Sequence, residues 1–211
     1  MMMSRLEFHR LGVRDYAITA AEMRTWTQAR RSDTADEIWF LEHAPVYTQG
    51  VSCSESVREG APDIPLVKSD RGGQITYHGP GQLIAYLLLD LRRLGFGVRQ
   101  LVSLIEASVI ELLGQYGLTA VVRPGAPGVY VDGEKIAALG LRVRSGCCYH
   151  GLSLNVDLEL EPFSRINPCG FAGLGVTSMK EQGLSVQVDE AADALERILE
   201  ARLLGKKTHF G

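Results

Sequence analysis

The chain has 211 residues, 45% of them hydrophobic and 22% charged, with a formal net charge of −3 at pH 7. These values describe one soluble, domain-sized unit over 1–211 with a sizeable core, and they exclude a polybasic nucleic-acid binder or membrane-surface protein. The opening MMMSRLEFHR has no apolar h-region, and the longest apolar run, Leu83 to Leu89, is far short of the roughly 20 residues that cross a bilayer. Neither a secretory signal nor a membrane span is expected. The cysteines fall at 53, 147, 148 and 169, two of them adjacent, with no CxxC or Cys/His metal spacing. That pattern argues for reduced thiols in a cytoplasmic protein without a metal site.

The fold is expected to begin near Leu11. Ala17 to Arg31 reads as a helix with Ile18, Met23 and Trp26 as core positions, and Glu37 to His43 as a short strand. Pro45 to Gly60 reads as a loop. Leu83 to Leu91 is a continuous apolar stretch between turn signals, the pattern of a strand buried on both faces. Val98 to Tyr116 is the clearest helix, with Leu101, Ile105, Val109 and Leu112 on one stripe and Gly117 as its stop. Val129 to Val143 reads as a hairpin turned by Asp132-Gly133, and Gly151 to Val156 as a further strand. Asp189 to Leu204 closes the chain as a helix with Ala192, Leu195, Ile198 and Leu199 on one face. Strands and helices interleave without regular βαβ spacing, so the fold class is a mixed α/β or α+β layer, a sheet covered by two or three helices. Neither a strand followed by GxGxxG nor a Walker A pattern is present, so nucleotide phosphate binding has no local support.

Between the loop and the apolar strand lies RGGQITYHGPGQ, Arg71 to Gln82. Five of its twelve residues are Gly or Pro, yet Thr76, Tyr77 and His78 sit among them. Such a run is either a backbone-lined pocket with a polar, partly aromatic rim or a tight structural turn. Lys135 opens the second strand of the hairpin, KIAALGLRV. A side-chain period of two puts it on the face of Ala137, Leu139, Leu141 and Val143, opposite Ile136, Ala138, Gly140 and Arg142. It is either a buried amine able to act as a base or the polar end of an apolar stripe. Cys169, in Asn167-Pro168-Cys169-Gly170, is presented on a turn. It is either a nucleophile or an inert small hydrophobe.

Five motifs occur in order: LEHAPVYTQG at 41–50, RGGQITYHGPGQ at 71–82, VDGEKIAALGLRV at 131–143, HGLSLNV at 150–156 and INPCG at 166–170. Together they resemble the lipoyl(octanoyl) transferase family, the octanoyl-[acyl-carrier-protein]:protein octanoyltransferases. The resemblance implies the fold shared by biotinyl and lipoyl protein transferases and ligases, with a catalytic pair carried here by Cys169 and Lys135. It places substrate contacts at Arg71, Gly72, Gly73, Gln74, Ile75, Thr76, Tyr77 and His78, at Ala138, Leu139 and Gly140, and at Gly151, Leu152 and Ser153. Position 153 is Ser where Ala is common, and nothing is carried over from the segment after Gly170.

The resemblance also implies partners: acyl carrier protein as octanoyl donor, and as acceptors the lipoyl domains of 2-oxoacid dehydrogenases and the glycine cleavage H protein. No ATP, metal or other cofactor, no nucleic acid and no membrane is expected, and the protein is expected to act as a cytoplasmic monomer. Arg142 and Arg144, with Arg92, Arg93, Lys206 and Lys207, are the basic residues available to meet acidic partners. Two alternatives on the same fold stay open. One is an ATP-dependent lipoate or biotin ligase, which needs no nucleophilic cysteine; the other is an octanoyl amidotransferase with a similar Cys-Lys pair.

Overall fold

The computed structural model of the chain describes residues 5–53, 63–166 and 175–205. Its centre is a mixed seven-stranded sheet in the order β1-β2-β6-β10-β9-β8-β7. These strands are β1 (Leu6–Arg14), β2 (Asp36–His43), β6 (Gln82–Asp90), β7 (Val121–Arg123), β8 (Ala126–Val131), β9 (Glu134–Arg144) and β10 (Cys147–Asn155). β1 and β2 run parallel, and every other neighbouring pair is antiparallel. A smaller sheet, ordered β4-β3-β5, joins β3 (Val46–Gln49), β4 (Leu66–Lys68) and β5 (Ile75–His78).

β6 is the apolar run of the sequence, buried along its length up to Asp90. It lies between β2 and β10, where both its faces are covered. On one face Leu83, Ala85, Leu87 and Leu89 join the main core with α3 (Val98–Gln115) and α4 (Val188–Gly205). On the other, Ile84, Tyr86 and Leu88 pack with Trp39, Tyr149 and Met23 of α1 (Tyr16–Ala29). A short α2 (Leu91–Leu94) and a 3₁₀ turn at Glu161–Arg165 complete the described elements. The expected sheet with covering helices is present.

Several details differ from the expectation. The chain enters the sheet at Leu6, before Leu11, because β1 gains its hydrogen bonds from β2 and has little apolar alternation of its own. Val46–Gln49 is a strand inside the expected loop, held by pairing with β4 and β5. In α1 the buried stripe is Tyr16, Thr19, Met23 and Thr27, while Ile18 is 58% exposed. Threonine can carry such a stripe where its hydroxyl returns to the backbone, as Thr19 does to Asp15 O at 2.7 Å. β10 starts at Cys147, four residues before Gly151, directly after a tight Ser145-Gly146 turn. The expected hairpin is present with Val131 opposite Glu134, and Asp132 and Gly133 between them adopt φ of 48° and 90°, as a primed two-residue turn requires.

Candidate active site

A cavity of about 360 Å³ lies between the Gly-rich run and β9 and β10. Arg71, Gly72, Gly73, Gln74, Ile75, Thr76 and His78 line one side of it. Ala138, Leu139 and Gly140 of β9, with Gly151, Leu152 and Ser153 of β10, line the other, and Lys135 reaches it from the start of β9. The two glycines and the Ala138/Ser153 pair stand opposite each other in register, which keeps this wall low. Tyr77 does not reach the cavity. Its ring packs 5.6 Å from those of Tyr47 and Phe163 in a separate cluster.

Lys135 is 4% exposed. Its Nζ donates to Pro127 O at 3.1 Å and sits 5.3 Å from the centre of the Tyr130 ring. Arg123 covers Tyr130 at 4.6 Å, so the ring is flanked by two cations. The expected face of this lysine is corrected by a β-bulge. Tyr130 pairs with Lys135 but Val129 pairs with Ala137, so Ile136 is an extra residue on β9. The bulge reverses the alternation: Ala137, Leu139, Leu141 and Val143 belong with the main core, whereas Lys135 lies on the opposite face with Ala138, Gly140 and Arg142. Its main chain is fixed from outside the sheet. Lys135 N donates to Gly175 O at 2.9 Å, and Thr177 N donates to Lys135 O at 3.0 Å.

Beyond Ala137, β8 no longer pairs with β9, and Gly72 N donates to Leu141 O at 3.0 Å on the edge so exposed. Leu139, two residues back, directs its own N–H and C=O to that edge. Arg71 folds the Gly-rich loop around itself: its guanidinium donates to Thr48 O at 2.7 Å, Gln74 O at 2.8 Å and Gly72 O at 3.0 Å. Its main visible work is therefore to shape the rim. His78 has both ring nitrogens engaged, with Thr48 Oγ1 at 3.3 Å and Gln82 Oε1 at 2.7 Å, and burial pulls its pKa well below the ordinary histidine value.

At the inner end, His150 departs from its strand. Cys148 and Leu152, its neighbours of equal parity, face the main core, but His150 takes φ of 61° and turns to Asp70 and Tyr86. Its Nε2 lies 2.9 Å from Asp70 Oδ1, and Tyr149 OH donates to the other carboxylate oxygen. The bond from His150 holds Asp70 well below the usual carboxylate range. Asp70 alone would raise His150, but burial outweighs it and lowers that imidazole. The resulting pair is a carboxylate hydrogen-bonded to a neutral ring.

A family model described as the lipoyl protein ligase A/B catalytic domain matches residues 15–200. The chain belongs to this family. An octanoyltransferase of Pseudomonas putida is 55% identical over 190 residues, covering 90% of this chain and 88% of the relative. An octanoyltransferase of Pseudomonas syringae pv. syringae is 52% identical over 217 residues, covering 99% and 100%. Among solved structures, lipoate-protein ligase A bound with ATP superposes with a TM-score of 0.76 at 18% identity, over 96% of this chain and 86% of that one. The biotin protein ligase of Aquifex aeolicus gives 0.56 at 13% identity, over 98% and 73%. At these identities the two structures establish the fold, that of lipoyl and biotinyl protein ligases, and nothing finer.

Cys169 lies outside the described residues, as do Lys206 and Lys207. Among the described residues, Cys147 and Cys148 are free thiols. Burial raises Cys147, and it pushes Cys148 up to about 12, so neither supplies a thiolate near neutral pH. Arg93 is not part of a basic docking patch: with Arg30 it grips the buried Asp36 carboxylate at 2.7 and 2.6 Å. Residues outside the five motifs also line the cavity, namely Tyr16, Ile84, Tyr86, Val98, Val102 and residues 125–127. Asp70, also outside the motifs, and Thr48 and Gln82, inside them, hydrogen-bond to its lining side chains. The run Pro124-Gly125-Ala126-Pro127-Gly128 carries the same Gly/Pro signal as residues 71–82 and was the available clue to the lysine's carbonyl partner.

Proposed function

We propose that this chain transfers an octanoyl group from acyl carrier protein to a lysine of a lipoyl domain through a thioester on Cys169. The observation that carries the reading is a buried amine, Lys135 Nζ, facing a cavity with far more apolar than polar wall. The names of the relatives supply the acyl group. Cys169 is six residues before Gly175, whose carbonyl is bound to Lys135, so the connecting chain spans at most about 22 Å.

A thiol at an ordinary pKa of about 8.5 is only a few per cent thiolate at pH 7. Lys135 as ammonium stabilises the thiolate, and as amine it takes the proton. In the first step Cys169 attacks the octanoyl thioester carbonyl, the bond to the carrier's pantetheine sulfur breaks, and Lys135 returns a proton to that sulfur. One thioester replaces another, so the step is near balance. In the second step the ε-amine of the lipoyl-domain lysine attacks, its proton passes to Lys135, and Cys169 leaves. Thioester becomes amide, which runs downhill without ATP or a metal. The oxyanion of each tetrahedral intermediate needs a preorganised donor, and Leu139 N–H at the open edge of β9 is positioned to provide one. A monomer suffices for this scheme.

The test is intact mass with octanoyl-acyl carrier protein, no ATP, before and after adding apo lipoyl domain. A single octanoyl adduct that disappears into the domain is expected. Cys169→Ala should give neither adduct nor product. Lys135→Arg keeps the charge but cannot release a proton, and should lose turnover. A strict ATP requirement would point to a ligase, and an adduct formed from octanoyl-lipoyl domain but not from carrier protein to an amidotransferase.

A further inference from the structure

Beneath the cavity runs a continuous chain of buried polar side chains. Arg71 Nη2 and Nε lie 2.8 and 3.2 Å from Thr48 Oγ1, which lies 3.3 Å from His78 Nε2. His78 Nδ1 is 2.7 Å from Gln82 Oε1, and Gln82 Nε2 is 2.9 Å from Asn155 Oδ1. Asn155 Nδ2 is 2.8 Å from Thr177 O, and Thr177 N is 3.0 Å from Lys135 O. Thr48, Gln82, Asn155 and Thr177 are each exposed by 4% or less.

Both ends of this chain fix its direction, and they agree. A guanidinium can only donate, so Thr48 Oγ1 accepts from Arg71 and gives its own proton to His78 Nε2. From the other end, the Thr177 carbonyl can only accept. Asn155 must then present its amide nitrogen there and its oxygen to Gln82; Gln82 must present nitrogen to Asn155 and oxygen to His78. His78 is therefore the Nδ1–H tautomer with Nε2 as acceptor, as the first end requires. Every donor points the same way, from the rim of the cavity to the main chain of Lys135, and bonds so aligned strengthen one another.

We propose that Asn155 and Gln82 are positioning residues that set Lys135 through Thr177, making one rigid unit of the cavity rim and the reacting amine. This rests on the reading of Lys135 as the proton-transfer group. Lys135 is held on one side by Pro127 O and on the other by 175–177. Asn155 ties that second support to the end of β10 twice, by this side-chain donor and by its carbonyl, which accepts from Met179 N at 3.0 Å; its side chain is what links the segment to Gln82 and the cavity rim. Without its donor the Thr177 carbonyl is buried and unmatched, and the segment shifts against β9 and moves the amine. Displacements near 1 Å cost on the order of a hundredfold in rate.

Asn155→Asp tests this, because it keeps shape and the acceptor for Gln82 but cannot donate to Thr177 O as a carboxylate. Expected are a kcat lowered roughly 10- to 100-fold, a KM for the octanoyl donor within about twofold, and faster hydrogen exchange at the Thr177 amide. Thr48 gives a second route in case that variant does not fold. Thr48→Val has the same shape without the hydroxyl and should lower kcat, whereas Thr48→Ser, smaller but hydroxylated, should retain it. A pure packing role predicts the opposite order. Unchanged kcat in Asn155→Asp, or Val outperforming Ser, overturns the proposal. Wild-type protein that forms no octanoyl adduct in the same assay would instead overturn the reaction reading, leaving the exchange rates to judge the chain of bonds.

Discussion

Gly128 and Lys135 face each other across the β8–β9 hairpin, and the missing side chain of the first makes room for the amine of the second. A Cβ on Gly128 would stand 2.7 Å from Ala137 O, 3.1 Å from Lys135 Cε and 3.3 Å from Nζ, and its φ of 136° disfavours any side chain. Gly128→Ala should therefore displace the amine and lower kcat on the order of a hundredfold. It should also cost about 1–3 kcal/mol of stability from backbone strain, measured by denaturant unfolding. A variant with normal kcat would mean that the amine is not held where the structure places it.

Ala138 and Ser153 are opposite one another on β9 and β10, and both line the cavity. Enlarging Ala138 to Leu should shorten the slot. Each methylene is worth about 0.8 kcal/mol, or roughly fourfold. If room for two is lost, the ratio of kcat/KM for hexanoyl over octanoyl donor should rise about fifteenfold. A ratio that does not move would show that the acyl chain lies elsewhere.

The bulge at Ile136 puts Arg142 on the same strand face as Lys135, and Arg142 and Arg144 are both exposed. Reversing both to Glu should raise KM for acyl carrier protein about tenfold at low salt and less at high salt, with kcat for a small octanoyl thioester preserved. Equal KM values for variant and parent would remove these two arginines from the docking surface.

His43 is buried, with Nδ1 at 2.9 Å from Arg14 O and Nε2 at 2.7 Å from Tyr86 OH, and burial lowers its pKa from 6.5 to about 4. Between those values the unfolded chain binds a proton that the folded one refuses, so stability is full above pH 6.5 and falls as pH drops toward 4. His78 and His150 are shifted in the same direction and add to the trend. Unfolding free energy should drop from pH 7 to pH 4, by about 3 kcal/mol from His43 alone, and His43→Asn should flatten the curve. A pH-independent unfolding free energy would contradict this assignment.

Local signals read well where a segment's own pattern decides its structure. The apolar run at 83–91, the 3.6-residue stripe of α3 and the Asp132-Gly133 turn appear in the structure as the sequence indicates. β1 and β3 were not legible, because they are short or polar and owe their conformation to partners far along the chain. Lys135 was legible as a candidate but its face was not, because strict alternation cannot reveal a bulge. His78 was legible as part of the Gly-rich run, but that both its ring nitrogens are committed to neighbours was not, because those partners are fixed by the fold.

By itself the sequence determined the family motifs, the fold class and the identity of the candidate amine, since these depend on residue type and spacing along the chain. Only the tertiary structure decided how they are joined. The bulge turns Lys135 to the cavity, Gly128 leaves it space, and a one-way set of buried hydrogen bonds ties it to Arg71. The longest-range bond of that set, Gln82 to Asn155, joins residues 73 positions apart. A hydrogen bond's partner and direction are set by position in space, which spacing along a chain does not encode.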